Sequence, residues 1–354
     1  MKTNSLMKEL NIKYPIFQAP MAGVTTPTLV SSVSNCGALG NIGAGYLSAE
    51  ETKDFILEVK GLTKQPFGVN LFVPENNKVT ESEMEKLYQL LQFCKNDLQL
   101  NLEEIPSYKP NNDFDKQVEI VIEENIPVCS FTFGIPSEEI INKLKNNGTF
   151  VIGTATNVKE AQMVEKVGMN AVVVQGSEAG GHRGTFLEKE SYIGTMSLIP
   201  QVVDHVSIPV IGAGGIMDGR GLMAALCLGA NCVQLGTAFL TTKESGAHPL
   251  HKKAILQATE EDLQLTRAFS GKTARGIKNK FMSTMEKYES KLPPYPYQNS
   301  LTKKIRSAAA EQNNKDFMSL WSGQSPRLSK NITVNELINH IVKESEKISN
   351  HLNK

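Results

Sequence analysis

Short runs that are apolar at almost every position alternate along the chain with longer segments in which apolar residues return every three or four places. The short runs are Pro15 to Pro20, Ala38 to Ile42, Phe67 to Phe72, Val128 to Phe133, Thr149 to Gly153, Val172 to Gln175, Val210 to Ala213 and Val233 to Leu235. A strand that is apolar on both faces is covered on both faces, as in a parallel sheet packed under helices. The periodic segments, bounded by glycine or capping residues, are Thr28 to Asn35, Ala49 to Gly61, Glu138 to Asn146, Asn157 to Val167 and Gly221 to Leu228,. Eight strands interleaved with helices predict the α/β class and a TIM-type (β/α)8 barrel, with an open doubly wound sheet as the alternative.

Two stretches break the rhythm. Pro74 to Asn125 carries a polar helical piece at Glu81 to Phe93 and a polar loop at Pro106 to Asp113, and Thr241 to Ser329 includes the proline-rich turn from Pro293 to Gln298. Insertions of that length at barrel loops are usually functional lids. The expected division is therefore 1-73, 118-240 and 330-354 for the barrel, with 74-117 and 241-329 as an accessory lobe over its mouth. A closing helix is expected after Thr333, which stands in capping-box spacing to Glu336, with Val334, Leu337, Ile338, Ile341 and Val342 on one face,.

The 354 residues suit one barrel with additions,. Lysine plus arginine and aspartate plus glutamate both number 37, so neither a nucleic-acid nor a membrane partner is expected. The basic cluster Lys303-Lys304-Ile305-Arg306 reads either as a solvated face or as a means of attracting an anionic substrate,. Five scattered cysteines without paired spacing fit reduced thiols, and no histidine, aspartate or glutamate cluster has metal-ligand spacing, so no metal is expected,. The first ten residues lack the apolar core of a signal peptide, and no apolar run is long enough to span a bilayer, which predicts a cytoplasmic protein,. Oligomeric state leaves no mark in the sequence.

The candidate chemistry lies where three strands run into glycine. The first, Val172 to Gln175, leads through Gly176-Ser177-Glu178-Ala179 to Gly180-Gly181-His182-Arg183-Gly184. Glycines there let backbone approach a ligand closely, and His182 offers an imidazole that titrates near neutrality. Arg183, its neighbour, could face the site or solvent. The second strand ends at Ala213-Gly214-Gly215 and the third at Gln234-Leu235-Gly236-Thr237. Two consecutive glycine turns at the end of the barrel are what a phosphate site requires. His205, His248, His251, His340 and His351 lack such a context and read as structural or surface residues.

Several of these pieces carry a family resemblance: Gln18-Ala19-Pro20-Met21-Ala22-Gly23-Val24, Phe67-Gly68-Val69-Asn70, the segment from Gln175 to Gly184, Gly212 to Ile216, Gln234 to Phe239, Ala268 to Gly271 with Ala274-Arg275-Gly276, and Trp321 to Gln324. Across nearly its whole length the chain resembles the bacterial nitronate monooxygenases, formerly called 2-nitropropane dioxygenases. The resemblance implies FMN at the C-terminal mouth of the barrel, its phosphate on the backbone of Gly214, Gly215, Gly236 and Thr237, with Ala213, Gln234 and Leu235 as further cofactor-binding positions. Ala19, Pro20, Met21 and Ala22 would then run beside the flavin ring, with Gly23 also at the cofactor, Asn70 and Gln175 would bond its polar edge, and Gly180 and Gly181 would bring backbone N–H groups close to it. It also implies oxidation of alkyl nitronates by O2 to carbonyl compounds and nitrite, with propionate 3-nitronate as a substrate suited to detoxification. His182 would be the catalytic residue, either as base toward a neutral nitroalkane or, the favoured role, as a cation beside the nitronate. Tyr295 and Tyr297 would reach the nitro group or else pack the lobe. The rivals are an FMN-dependent enoyl-acyl-carrier-protein reductase using NAD(P)H, whose glycine-histidine loop is similar, and a flavin-binding protein without turnover.

Overall fold

The computed structural model describes residues 3–75, 77–100 and 113–352. The polar loop expected at Pro106 to Asp113 lies, apart from Asp113, outside the described residues. In chain order the strands are β1 (Ile16–Gln18), β2 (Gly40–Gly43), β3 (Phe67–Phe72), β4 (Val128–Thr132), β5 (Phe150–Ala155), β6 (Ala171–Gln175), β7 (Gly181–His182), β8 (Val210–Ala213), β9 (Cys232–Leu235), β10 (Leu263–Thr266) and β11 (Ala274–Ile277). Eight of them form one parallel sheet in the order β1-β9-β8-β6-β5-β4-β3-β2. The amide of Leu39 donates to Ile16 O at 2.9 Å and that of Gln18 to Leu39 O at 2.9 Å, which joins the two edges. The sheet is thus a (β/α)8 barrel, and an open sheet is excluded.

Alternation along each strand divides the core in two. Ile16, Val69, Cys129, Val151, Val172, Val174, Val210 and Val233 face the helices. Phe17, Val128, Phe150, Ile152, Ala171, Val173, Ile211 and Cys232 form a separate cluster with Leu6, Met7, Leu10 and Ile12. The latter come from the N-terminal helix Ser5–Glu9 and the turn after it, with the helix capped by the Asn4 side chain. This helix packs against the inward-facing strand residues and closes the N-terminal end of the barrel, so a ligand must bind at the other end, where the active sites of such barrels lie.

The two interrupting stretches share a core of their own. Met84, Tyr88, Leu91 and Leu98 from the first pack with Phe269, Phe281, Leu301, Ile305 and Phe317 from the second. The helix Asp113–Glu123, however, packs on the barrel helices Ala49–Leu62 and Glu138–Asn146, so the expected 117/118 boundary falls inside a barrel helix. The closing helix Val334–Leu352 packs on Gly219–Cys227 and Pro27–Asn35. Its capping box is formed: Thr333 N donates to Glu336 Oε2 at 2.8 Å and Glu336 N to Thr333 Oγ1 at 3.2 Å. Among the described residues, no helix is long and apolar enough to cross a membrane.

Candidate active site

A cavity of about 380 Å³ opens at the C-terminal ends of the strands, within the range of small-molecule and cofactor sites. Barrel loops form its floor and the lobe forms its roof through Phe269, Ser270, Asn299, Arg306 and Trp321. Sixteen of the positions expected from sequence come together in its wall: Ala19, Pro20, Met21, Ala22, Gly23, Asn70, Gln175, Gly180, Gly181, His182, Ala213, Gly214, Gly215, Gln234, Gly236 and Thr237. Leu235 does not join them. Its side chain is buried in the layer between strands and helices, while its carbonyl accepts from Ala19 N at 2.8 Å.

Tyr295 and Tyr297 also stand back from the wall. The Tyr295 ring lies 5.4 Å from that of Phe133, and the Tyr297 hydroxyl donates to Asn77 O at 3.0 Å. Tyr295 thus packs on the residue after β4, and Tyr297 bonds to the segment after β3.

The cradle at the ends of β8 and β9 is built from backbone. Gly214 and Gly215 have φ of +113° and +69°, a region unfavourable to any residue with a Cβ. A Cβ on Gly214 would sit 2.9 Å from Thr195 Oγ1, and one on Gly215 3.3 Å from Glu178 Cβ. Opposite them, Gly236 and Thr237 begin a short helical turn. The segment Ser322 to Ser325 crosses this cradle: Gly323 N donates to Thr237 Oγ1 at 2.9 Å and Gln324 N to Glu178 O at 2.9 Å. Gly180 must be glycine for that crossing, since its Cβ would lie 2.4 Å from Gly323 N. The neighbouring carboxylate, Glu178, is turned onto Thr195, accepting from its N–H at 2.8 Å and its hydroxyl at 2.8 Å, and so caps the helix Thr195–Val203. The cradle therefore fits a phosphate: small, rich in backbone, and with its one nearby carboxylate already engaged.

His182 is held from three sides. Its strand β7 pairs with β11, His182 opposite Ala274. Gln175 spends its side-chain amide on the same loop, Nε2 donating to His182 O at 2.9 Å and Oε1 accepting from Gly184 N at 2.8 Å. Arg183 is turned inward and buried, with Nη1 donating to Gly176 O at 2.7 Å and Nη2 to Ser191 O at 3.0 Å, which settles its orientation as structural.

The imidazole lies between Trp321, at 5.4 Å between ring centroids, and Phe133, at 5.8 Å. Phe133 itself sits at φ +71°, a conformation that costs energy in a non-glycine residue and tends to occur at functional sites. His182 Nε2 lies 2.8 Å from Ser270 Oγ, and the Ser270 hydroxyl donates to Lys272 O at 3.0 Å. A hydroxyl has one proton; if it goes to the carbonyl, the imidazole must carry its own on Nε2, leaving Nδ1 bare. Burial, then the charges of Lys272 and Arg306, lower the His182 pKa to about 3. That shift favours a neutral imidazole at neutral pH and weighs against the cationic role favoured from sequence, since two cations stand where that role needs an acidic neighbour,.

Residues 4–344 match the family model described as nitronate monooxygenase. The chain belongs to the nitronate monooxygenase family. It is 53% identical over 346 residues to a probable nitronate monooxygenase of Staphylococcus haemolyticus, covering 96% of both chains. Against the probable nitronate monooxygenase of Staphylococcus aureus it is 49% identical over 348 residues, 98% of each. Among solved structures it superposes on the nitroalkane oxidase from Streptomyces ansochromogenes with a TM-score of 0.92 and 37% identity, covering 98% of this chain and 100% of that one. FabK from Thermotoga maritima, which represents the reductase alternative, is more distant at 0.80 and 32%, covering 100% and 99%. Nitronate monooxygenases and these neighbours are flavoenzymes, so this member is a flavin-dependent oxidoreductase.

The lobe residues in the wall were present in the sequence only as unassigned motif. Ala268 to Gly271 and Trp321 to Gln324 stood out as matches, yet nothing local showed that Ser270 and Trp321 would reach His182. Within the basic cluster the helix Tyr297–Glu311 decides the matter: Lys303 and Lys304 are exposed, while Arg306 turns into the cavity.

Proposed function

We propose that the chain is an FMN-dependent nitronate monooxygenase that converts alkyl nitronates and O2 into carbonyl compounds and nitrite, in a detoxifying role. One observation carries this reading. The described cavity wall contains one guanidinium, two imidazoles whose pKa values burial lowers, those of His182 and His251, and no carboxylate, an environment suited to a substrate that arrives as an anion.

A base whose conjugate acid has a pKa of about 3 is poorly matched to a neutral nitroalkane, a far weaker acid, because each unit of mismatch costs about 1.4 kcal/mol. A nitronate has already lost that proton. The flavin, when bound, supplies the electron chemistry toward substrate and O2. The protein's part is to hold the nitronate near His182, to exclude water with Phe133 and Trp321, and to keep positive charge from Arg306 and Lys272 close by.

FMN rather than FAD is supported by the cradle at Gly214, Gly215, Gly236 and Thr237. The segment from Ser322 to Ser325 crosses over it, Gly323 N donating to Thr237 Oγ1 at 2.9 Å and Ser325 Oγ to Gly215 O at 3.4 Å. Acid release of the cofactor and chromatography against FMN and FAD standards tests this directly.

The activity is tested by anaerobic mixing of the yellow protein with an alkyl nitronate in one cuvette and NADH or NADPH in another. Loss of flavin absorbance with the nitronate, and nitrite formation once air is admitted, is the expected result. Bleaching by the nicotinamide alone would transfer the assignment to an enoyl reductase.

A further inference from the structure

The segment that crosses the cradle begins at Trp321, which lies opposite Gly276 of β11 in an antiparallel bridge. The bonds of that pairing run through the neighbours: Ile277 N donates to Leu320 O at 2.8 Å and Ser322 N to Arg275 O at 3.3 Å. Trp321 and Gly276 are therefore a non-hydrogen-bonded pair, and the Trp321 carbonyl turns away from β11. A buried carbonyl needs a donor. Here it is His251, whose Nε2 lies 2.8 Å from Trp321 O. Because a carbonyl can only accept, the proton is on Nε2. His251 is buried and lines the same cavity as His182, although sequence alone grouped it with the structural and surface histidines.

This bond is a junction between the two halves of the site. The chain that leaves the cradle turn Thr237–Leu240 next forms the helix Pro249–Gln257, which carries His251. Lys252 Nζ donates to Thr242 O at 2.7 Å and ties the helix to the end of that turn. The same helix packs on the turn Pro326–Leu328, beyond the crossing segment. On its other side Trp321 sets its ring 5.4 Å from His182 and 5.5 Å from Phe269. Immediately after it, Gly323 N is fastened to Thr237 and Gln324 N to Glu178. A displacement of Trp321 O would thus move both the ring beside His182 and the backbone over the cradle.

We propose that His251 is a positioning residue for the reaction. By holding Trp321 O it fixes the Trp321 ring against His182 and the register of Ser322 to Ser325 on the cradle. It acts through Trp321 rather than on the substrate. The kinetic part of this inference rests on the nitronate reading, whereas its spectroscopic and binding parts do not.

Trp321 is the one tryptophan of the chain, so selectively excited tryptophan fluorescence reports this segment alone. His251→Gln keeps an N–H at about the reach of Nε2, His251→Asn is one carbon shorter and falls short, and His251→Leu has no donor. In His251→Asn and His251→Leu, emission of the apoprotein should move to longer wavelength and be quenched more readily by acrylamide. FMN titrated into the apoprotein should bind them about tenfold more weakly, the size of one net hydrogen bond. With FMN saturating, kcat for an alkyl nitronate should fall about tenfold while KM changes little, as expected when a group beside the reacting centre is misplaced. His251→Gln should match the wild type in emission, FMN affinity and kcat.

Wild-type emission, FMN affinity and kcat in His251→Asn would overturn the inference, even if its urea midpoint fell, and would return His251 to ordinary packing. A His251→Gln variant as impaired as His251→Asn would overturn it too, because the donated N–H would not be what matters. If His251→Leu fails to fold, the contrast between His251→Gln and His251→Asn decides alone. If the wild type oxidises no nitronate, the nitronate reading has failed, while emission and FMN affinity still decide the role of His251.

Discussion

The neutral state of His182 has a measurable consequence. An ordinary histidine, titrating at 6.5, is about a quarter protonated at pH 7. With the pKa lowered to about 3, the charged fraction is about one in ten thousand at pH 7 and one in a hundred at pH 5, a free-energy cost of charging of roughly 5 kcal/mol. The two cations behind part of this are Lys272, paired to Glu75 at 2.6 Å and lying 4.6 Å from the centre of the Phe133 ring, and Arg306. Across pH 5 to 8 the imidazole should therefore not change charge. The assay is the initial rate of nitrite release from preformed nitronate, corrected for substrate reprotonation. The expected profile of kcat/KM is flat through that range, and Lys272→Met, by removing a repelling charge, should move the acid limb upward. An inflection near pH 6.5 that disappears in His182→Gln would refute the reasoning, because it would show the imidazole titrating as though solvated.

Two further outcomes follow from geometry. Gly215→Asp imposes a Cβ at φ +69° and a negative charge on the cradle; the purified variant should be colourless, and full retention of tightly bound flavin would remove the phosphate assignment. Glu160, fully buried, accepts from Thr156 N at 2.6 Å, Thr156 Oγ1 at 2.8 Å, Phe186 N at 3.1 Å, Leu187 N at 3.3 Å and the Thr185 hydroxyl. Glu160→Ala strands those donors and should cost about 4 kcal/mol in urea unfolding, with a loss below about 1 kcal/mol showing that water replaces the carboxylate.

The barrel was legible because a strand buried on both faces must be apolar at nearly every position, and all eight such runs became strands. Other elements left no such trace. The helix Ser5–Glu9 has five residues, too few to show a period, although it closes one end of the barrel. Thr195–Val203 contains Pro200 and follows a glycine, both of which read as loop. The strand β7 has two residues and exists only because β11 arrives from ninety positions further on. In the site, glycines that need positive φ were visible locally. The inward turn of Arg183, the withdrawal of Tyr297 to Asn77 and the approach of Ser270 to His182 were not, because each depends on a partner distant in sequence.

The two-residue strand bears on how a substrate can enter. β11 is bonded along one edge to β10 and along the other to β7, so the lobe strand holds in place the strand that carries the imidazole. A lobe swinging outward as a rigid flap would strip His182 from its place, leaving the open form catalytically incomplete. Opening the lobe and keeping the imidazole in place are thus coupled through the pairing of Ala274 with His182.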